Sequence, residues 1–373
     1  MTVAVVAGAL ANKAHNGGEA WVRLSWVLGL RQLGLDAWLV EEVAPEVSAT
    51  DRAWFESVVE RFGLGERSAL VDSEGRSLAG VPAEALSEAM AIAELLVNIS
   101  GNLTCERLLS LPNRRVYVDL DPGYTQFWHL ARALGPVLER HDTFLTVALA
   151  IGRPSCSIPT GGFDWRPVAP PVVLDDWPVT RKPSQRRLTT VAGWRGGYGR
   201  VEHDGHTFGQ KAHEFRRLAD VPRGLGAPCE IALDIDPADD DDADALMAGG
   251  WQLVDPREVA GDPDAFRRYV QASSAELSAA QGIYVETGSG WFSDRTTRYL
   301  ASGRPAVVQE TGLPPEIPRG EGLLTFRTPA EASAAARAVL DNYASHARAA
   351  RRLAEEHFAS DLVLGSVLEL VVT

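Results

Sequence analysis

Residues 282–313, GIYVETGSGWFSDRTTRYLASGRPAVVQETGL, constrain the fold more than any other stretch of this chain. Their pattern predicts strand, glycine-rich loop, helix, strand. Ile283 to Glu286 has the apolar, β-branched and aromatic content of a strand. Gly288, Ser289 and Gly290 form the break, and the Ser293 hydroxyl can cap a helix. Gly303 suits the left-handed residue that ends it, and Pro305 to Gln309 resumes as a buried strand. In a parallel sheet this sets unpaired N–H groups of a helix N-terminus beside the carboxyl ends of two strands, a ready phosphate site. A single glycine-bearing crossover is also an ordinary turn, so the rest of the chain decides.

At 373 residues the chain suits two domains. A formal net charge of −14 argues against nucleic acid or an anionic membrane as a general partner, so a phosphorylated ligand needs its own local cations. Cys105, Cys156 and Cys229 are an odd, scattered set, neither a disulfide framework nor a zinc site. The N-terminus lacks a basic region and reads as a first strand, and no apolar run approaches a membrane span. A cytoplasmic protein is expected.

Val3 to Ala7 is an apolar run typical of an inner parallel strand. A loop, a helix from about Ala20 to Leu33 and a strand at Ala37 to Val40 complete a βαβ unit. Helices are expected near 49–62 and 83–93, and strands at Leu95–Ile99, Val116–Leu120 and Thr143–Leu149. Residues 166–187, rich in Pro, Trp and charge, read as a linker between a first domain (1–165) and a second (188–345). The second opens with a strand at Leu188 to Ala192, a glycine-rich loop, a helix at Lys211 to Leu218 and a strand at Cys229 to Leu233. The acidic run Asp239 to Asp242 is expected to cap the following helix. Phe266 to Ala280 reads as amphipathic. Residues 346–373 read as a terminal helix.

Two glycine-bearing loops of the second half would share one sheet edge. One carries Arg195, Gly196 and Gly197, with Lys211 opening the next helix; the other runs from Gly288 to Ser293. Cations and N–H groups converging there are what a diphosphate requires. Here the sequence resembles the donor-binding domain of GT-B nucleotide-sugar glycosyltransferases, through AGWRGG…GQK and SGWFSDRTTRYLASGRPAVVQ. The resemblance implies an α/β fold of two Rossmann-like doubly wound domains facing across a cleft. It also implies that Arg195, Gly196, Gly197, Lys211, Ser289, Gly290 and Ser293 hold the donor diphosphate. Glu310, Thr311 and Gly312 would face the sugar or phosphate, and Trp251 would stack on the nucleobase, with a packed turn as the equal alternative. Retaining members carry two glutamates eight residues apart; here Gly290 and Arg298 stand at those positions. Asp294 would then take the ribose hydroxyls, or pair with Arg298 one turn on.

The first half resembles the acceptor-binding domain. By that resemblance His15 deprotonates the acceptor while Asp119 and Asp121 supply the orienting carboxylate. A solvated loop histidine is the even alternative. Gly17 and Gly18 would let the backbone approach the donor phosphate or the facing domain, or simply start a helix. Asp119-Leu-Asp121 and Asp234-Ile-Asp236 also fit a D-x-D metal signature, but such triplets are common in acidic chains and no metal is expected. The expected activity is a metal-independent, inverting transfer of a hexose from a nucleotide sugar to a small-molecule acceptor. No cofactor is expected beyond that co-substrate. A nucleotide-sugar epimerase, a non-catalytic nucleotide-sugar-binding protein and a homodimer stay open.

Overall fold

Two parallel sheets carry the chain in this computed structural model, which describes residues 1–180, 183 and 186–372. The first contains β1 (Val3–Ala7), β2 (Asp36–Glu42), β3 (Ser68–Val71), β4 (Ser77–Gly80), β5 (Ala93–Ile99), β6 (Arg114–Asp119), β7 (Thr143–Thr146) and β8 (Trp165–Pro167). Their spatial order is β4-β3-β2-β1-β5-β6-β7-β8, all parallel except the β3–β4 pair. A small antiparallel ribbon of β10 (Glu202–His203) and β11 (His206–Thr207) follows β9 (Leu188–Gly193). The second sheet adds β12 (Cys229–Asp234), β13 (Trp251–Val254), β14 (Ala275–Ser278), β15 (Ala306–Gln309) and β16 (Leu323–Phe326), in the order β13-β12-β9-β14-β15-β16. Its inner strands are buried on both faces, hence their near-continuous apolar runs. Each sheet reverses its winding beside its first strand, between β1 and β5 and between β9 and β14. Ligands of doubly wound folds enter at such switch points.

The sequence misplaces one strand. Ile283–Glu286 lies in a short helix, Gly282–Glu286, and the strand pairing with β15 is Ala275–Ser278. A four-residue run such as Ile283–Glu286 carries no period that separates buried strand from buried turn. Gly282 sits against Gly209, where a Cβ would lie 2.6 Å from the Gly209 carbonyl carbon, and this contact holds the turn. Correspondingly, the stretch that reads as amphipathic through Ala280 is helical only to Ala272. The β3–β4 hairpin, Ser68–Val71 against Ser77–Gly80, adds an antiparallel edge beyond the expected strands. The Ser293 cap holds, its hydroxyl accepting the Arg295 N–H at 3.2 Å, and Gly303 has φ +67°. The acidic run splits its roles: Asp240, Asp241 and Asp242 fill the first turn of the helix Asp240–Ala248.

The halves interlock. Trp21, fully buried in the helix Gly17–Gln32, donates its ring N–H to the Pro263 carbonyl at 2.8 Å. Trp177, in the stretch read as a linker, packs edge-on against Trp21 and Phe266. Residues 181, 182, 184 and 185 of that stretch, and Thr373 of the tail, lie outside the described residues. The last helix, Ser360–Val372, packs on the helix Gly17–Gln32, with the Ser360 hydroxyl donating to the Gln32 side chain at 3.0 Å. Among the described residues no helix is long and apolar enough to cross a membrane.

Candidate functional site

A cleft of about 810 Å³ opens between the two switch points and is lined from both halves. From the second half, Lys211 opens the helix Lys211–Arg217, its backbone N–H donating to Gln281 Oε1 at 2.7 Å. Its side chain lines the cleft half-buried; burial, then the nearby Arg295 charge, push its pKa down to about 8. Arg295 is fixed by Glu276 at 2.7 Å and the Val191 carbonyl at 2.8 Å. Arg298, fully buried, pairs with Asp294 one turn earlier. Ser293 and Asp294 bring the N-terminus of the helix Asp294–Ala301 to the cleft, where the first-turn N–H groups have no partner from helix geometry. A cation and a helix dipole thus face one volume.

From the first half, Asp121 follows β6 and lines the cleft opposite. It accepts the Tyr284 hydroxyl at 3.0 Å and the Tyr198 hydroxyl at 3.2 Å, both from the second half. Burial, then the charge of Asp119, raise its pKa to about 6. Asp119 is itself buried and saturated: it accepts the hydroxyls of Thr125 and Thr146 at 2.7 Å each, the Gln126 amide at 2.9 Å and the Asp121 N–H at 3.1 Å. It therefore anchors the loop that presents Asp121 and does not face the cleft. His15 lines the cleft, exposed, at φ +58° with its ring 5.1 Å from that of Trp54. No carboxylate backs it among the described residues.

Several expected contacts are redirected. Gly196 and Gly197 line the cleft, and Gly196 lies so close to the Gln281 amide that a Cβ would meet it at 2.2 Å. Arg195 borders the cleft, but its guanidinium is clamped by Asp239 through two 2.7 Å bonds. Trp251 is a core residue of β13, 3% exposed, its ring N–H on the Leu218 carbonyl. Ser289 is buried, its hydroxyl donating to the Tyr284 carbonyl. Gly290 donates its N–H to the Thr311 carbonyl, and a Cβ there would strike the Ala150 N–H of the first half at 2.6 Å. The Glu310 carboxylate caps the Gly312 and Leu313 N–H groups, Thr311 bonds the Trp291 carbonyl, and Gly312 packs on Gly288. Of the near-cleft glycines, Gly18 lines the cleft while Gly17 packs on the second half, where a Cβ would lie 2.1 Å from the Asp262 carbonyl oxygen. Asp294 takes the Arg298 alternative. Tyr198, Tyr284, Gln281 and Arg295 were missed; a charged residue inside the AELS strand was the only hint of the Glu276–Arg295 pair.

Among the described residues no cluster of three His, Cys, Asp or Glu could hold a metal ion. No protein-family profile and no curated protein sequence matches the chain. Solved structures do match over its whole length. Alr3699/HepE of Anabaena, in complex with UDP and glucose, shares 11% identity at a TM-score of 0.61, with 99% of each chain covered. AviGT4, a glycosyltransferase involved in avilamycin A biosynthesis, shares 14% at 0.55, covering 99% of this chain and 97% of its own. The sucrose-phosphate synthase of Thermosynechococcus elongatus shares 11% at 0.57, with 99% of each chain covered. With two doubly wound sheets meeting at a shared cleft and superposing end to end on these structures, this chain has the GT-B fold.

Proposed function

We propose that the chain is a glycosyltransferase that moves a hexose from a nucleotide-diphosphate sugar to a small-molecule acceptor, without a metal and with inversion. The observation that carries this is the cleft itself, where Lys211 and a helix N-terminus on one wall face the carboxylate of Asp121 on the other. HepE, similar over its full length, is described with UDP and glucose bound. In the proposed reaction the acceptor hydroxyl gives its proton to Asp121 as its oxygen attacks the anomeric carbon. The bond to the diphosphate breaks, and the leaving oxygen keeps the electron pair, stabilised by Lys211 and the N–H groups of the 294–301 helix. Asp294, paired with Arg298, would meet the ribose only through whatever lone pairs that ion pair leaves free. His15, exposed and without a carboxylate behind it, is the rival base.

The metal-free reading is supported by Asp119, whose oxygens are already filled by hydroxyl, amide and N–H donors. The three cysteines are unpaired, which supports a cytoplasmic setting. Thermal shift against UDP, dTDP and GDP sugars, followed by NMR of the product of an acceptor screen, tests the reading. No shift with any donor sinks it. Retained anomeric configuration removes inversion and the base role of Asp121 with it. Full activity of Asp121→Asn with loss in His15→Ala transfers the base role to His15.

A further inference from the structure

The Tyr198 phenol sits in a place that suits an acceptor. Its hydroxyl donates to Asp121, the proposed base, at 3.2 Å. Its ring lies 5.1 Å from both Tyr124 and Trp128 of the first half, the latter edge-on at 84°. Tyr284, stacked on Trp291 at 4.7 Å, holds the other Asp121 oxygen. A carboxylate flanked by aromatic faces is therefore occupied by an aryl hydroxyl that the chain itself supplies.

The segment carrying Tyr198 is built to leave. It lies in residues 195–200, all exposed, with Gly196, Gly197 and Gly199 around it, and Tyr198 remains 39% exposed where it docks. Withdrawal would uncover Asp121 without breaking a strand of either sheet. Farther along, Val201 and Phe208 keep the ribbon β10–β11 seated on Phe127, so a withdrawal would be confined to the glycine stretch. The Asp121 charge keeps the Tyr198 hydroxyl protonated, so it remains a hydrogen-bond donor as an incoming acceptor would be.

We propose that Tyr198 is an internal plug standing in for the acceptor, and that the acceptor is an aromatic compound whose phenolic hydroxyl replaces that of Tyr198 on Asp121. The proposal rests on the glycosyltransferase reading for its chemistry, but the binding it claims is read without donor. The proton released by the bound phenol goes to Asp121, and the phenolic oxygen forms the new bond to the anomeric carbon as the bond from that carbon to the donor diphosphate breaks, the leaving oxygen keeping the electron pair.

The test titrates 4-methylumbelliferone, a fluorescent phenol, into wild type, Tyr198→Ala and Tyr198→Phe, with 4-methylcyclohexanol as the non-aromatic control and UDP as a separate titrant. Tyr198→Ala is expected to bind the phenol about tenfold tighter, as for loss of one competing hydrogen bond to a charged group. Tyr198→Phe, which keeps the ring and its packing, should gain less, and the alcohol should gain little in either variant. Adding Asp121→Asn to Tyr198→Ala should erase the gain. An unchanged or weaker phenol affinity in both Tyr198 variants overturns the proposal, as does an equal gain for the cyclic alcohol. Absence of UDP binding by the wild type counts against the nucleotide-sugar reading alone and leaves the phenol result to stand by itself.

Discussion

The Tyr284 hydroxyl donates to the Asp121 carboxylate at 3.0 Å, a bond that crosses from the second half of the chain to the first. A carboxylate that borders the cleft is thereby positioned by both halves at once. Any relative movement of the halves changes what Asp121 faces, so its basicity belongs to the closed arrangement.

Activity should depend on pH through two groups moved in opposite senses. Burial and the Asp119 charge raise Asp121 to about 6, while burial and the Arg295 charge lower Lys211 to about 8. A base must be ionised and a phosphate-binding cation protonated, so kcat/KM should rise through about pH 6 and fall through about pH 8. Asp121→Asn should remove the acid limb from whatever activity remains. The stability signs differ: the raised Asp121 contributes stability below its unfolded value that is lost as pH rises through about 6. The depressed Lys211 contributes stability above its unfolded value that is lost as pH falls through about 8. Asp121→Asn should therefore raise the melting temperature at pH 7 while sharply lowering turnover, which calorimetry and initial rates together would check.

Lys211→Met should cost roughly 2.7–4 kcal/mol of transition-state stabilisation, about 10²–10³ in kcat, as for loss of one preorganised donor to developing charge. Arg195→Ala should cost less than about tenfold, because its guanidinium is engaged by Asp239 and exposed. Equal losses in the two variants would mean that Arg195 leaves Asp239 when donor binds. Wild-type turnover in Lys211→Met would remove the diphosphate role assigned to it.

How much of this could be read from residue order depends on the range of the interaction. Val3–Ala7 and Cys229–Asp234 are strands because buried parallel strands demand apolar runs, and Ser293 and Gly303 mark helix ends through local hydrogen bonding and a positive φ. Lys211 is legible at the cleft from its place after a glycine-bearing loop together with the family resemblance, and Asp294 from the resemblance alone. The glycines of the 288–290 turn pointed to phosphate, yet they exist for close backbone approach: a Cβ on Gly288 would meet the Ser155 carbonyl oxygen at 2.4 Å. Nothing near Asp121 in sequence announces Tyr198 or Tyr284, 77 and 163 residues away. Glu276 is tolerated in a buried strand only because Arg295, from a later helix, neutralises it at 2.7 Å.

Trp251→Ala should cost about 3–5 kcal/mol of stability, the usual loss for a large aromatic side chain removed from a core. Where the variant remains folded, nucleoside diphosphate affinity should be unchanged, measured by titration below its melting temperature. A selective loss of nucleotide affinity with stability intact would restore the base-stacking role that the buried position denies.

Gly17→Ala tests whether the halves are held together by backbone contact. The added methyl would lie 2.1 Å from the Asp262 carbonyl oxygen and 2.9 Å from that of Ala260, neither of which can rotate away as a side chain would. The helix Gly17–Gln32 and the loop before the helix Pro263–Ala272 must separate, at roughly 1–3 kcal/mol for a forced shift in a packed interface. Because the same helix carries Glu19 and Arg23 to the cleft, the damage should reach the site. The expected result is a larger radius of gyration by small-angle scattering and a raised KM for donor, with kcat less affected. Gly18→Ala, whose methyl would meet side chains that can give, the edge of the Phe266 ring at 3.1 Å and the Asn16 Oδ1 at 3.5 Å, should leave the radius unchanged. Identical behaviour of the two variants would show that the approach of Gly17 to Asp262 does not set the spacing of the halves.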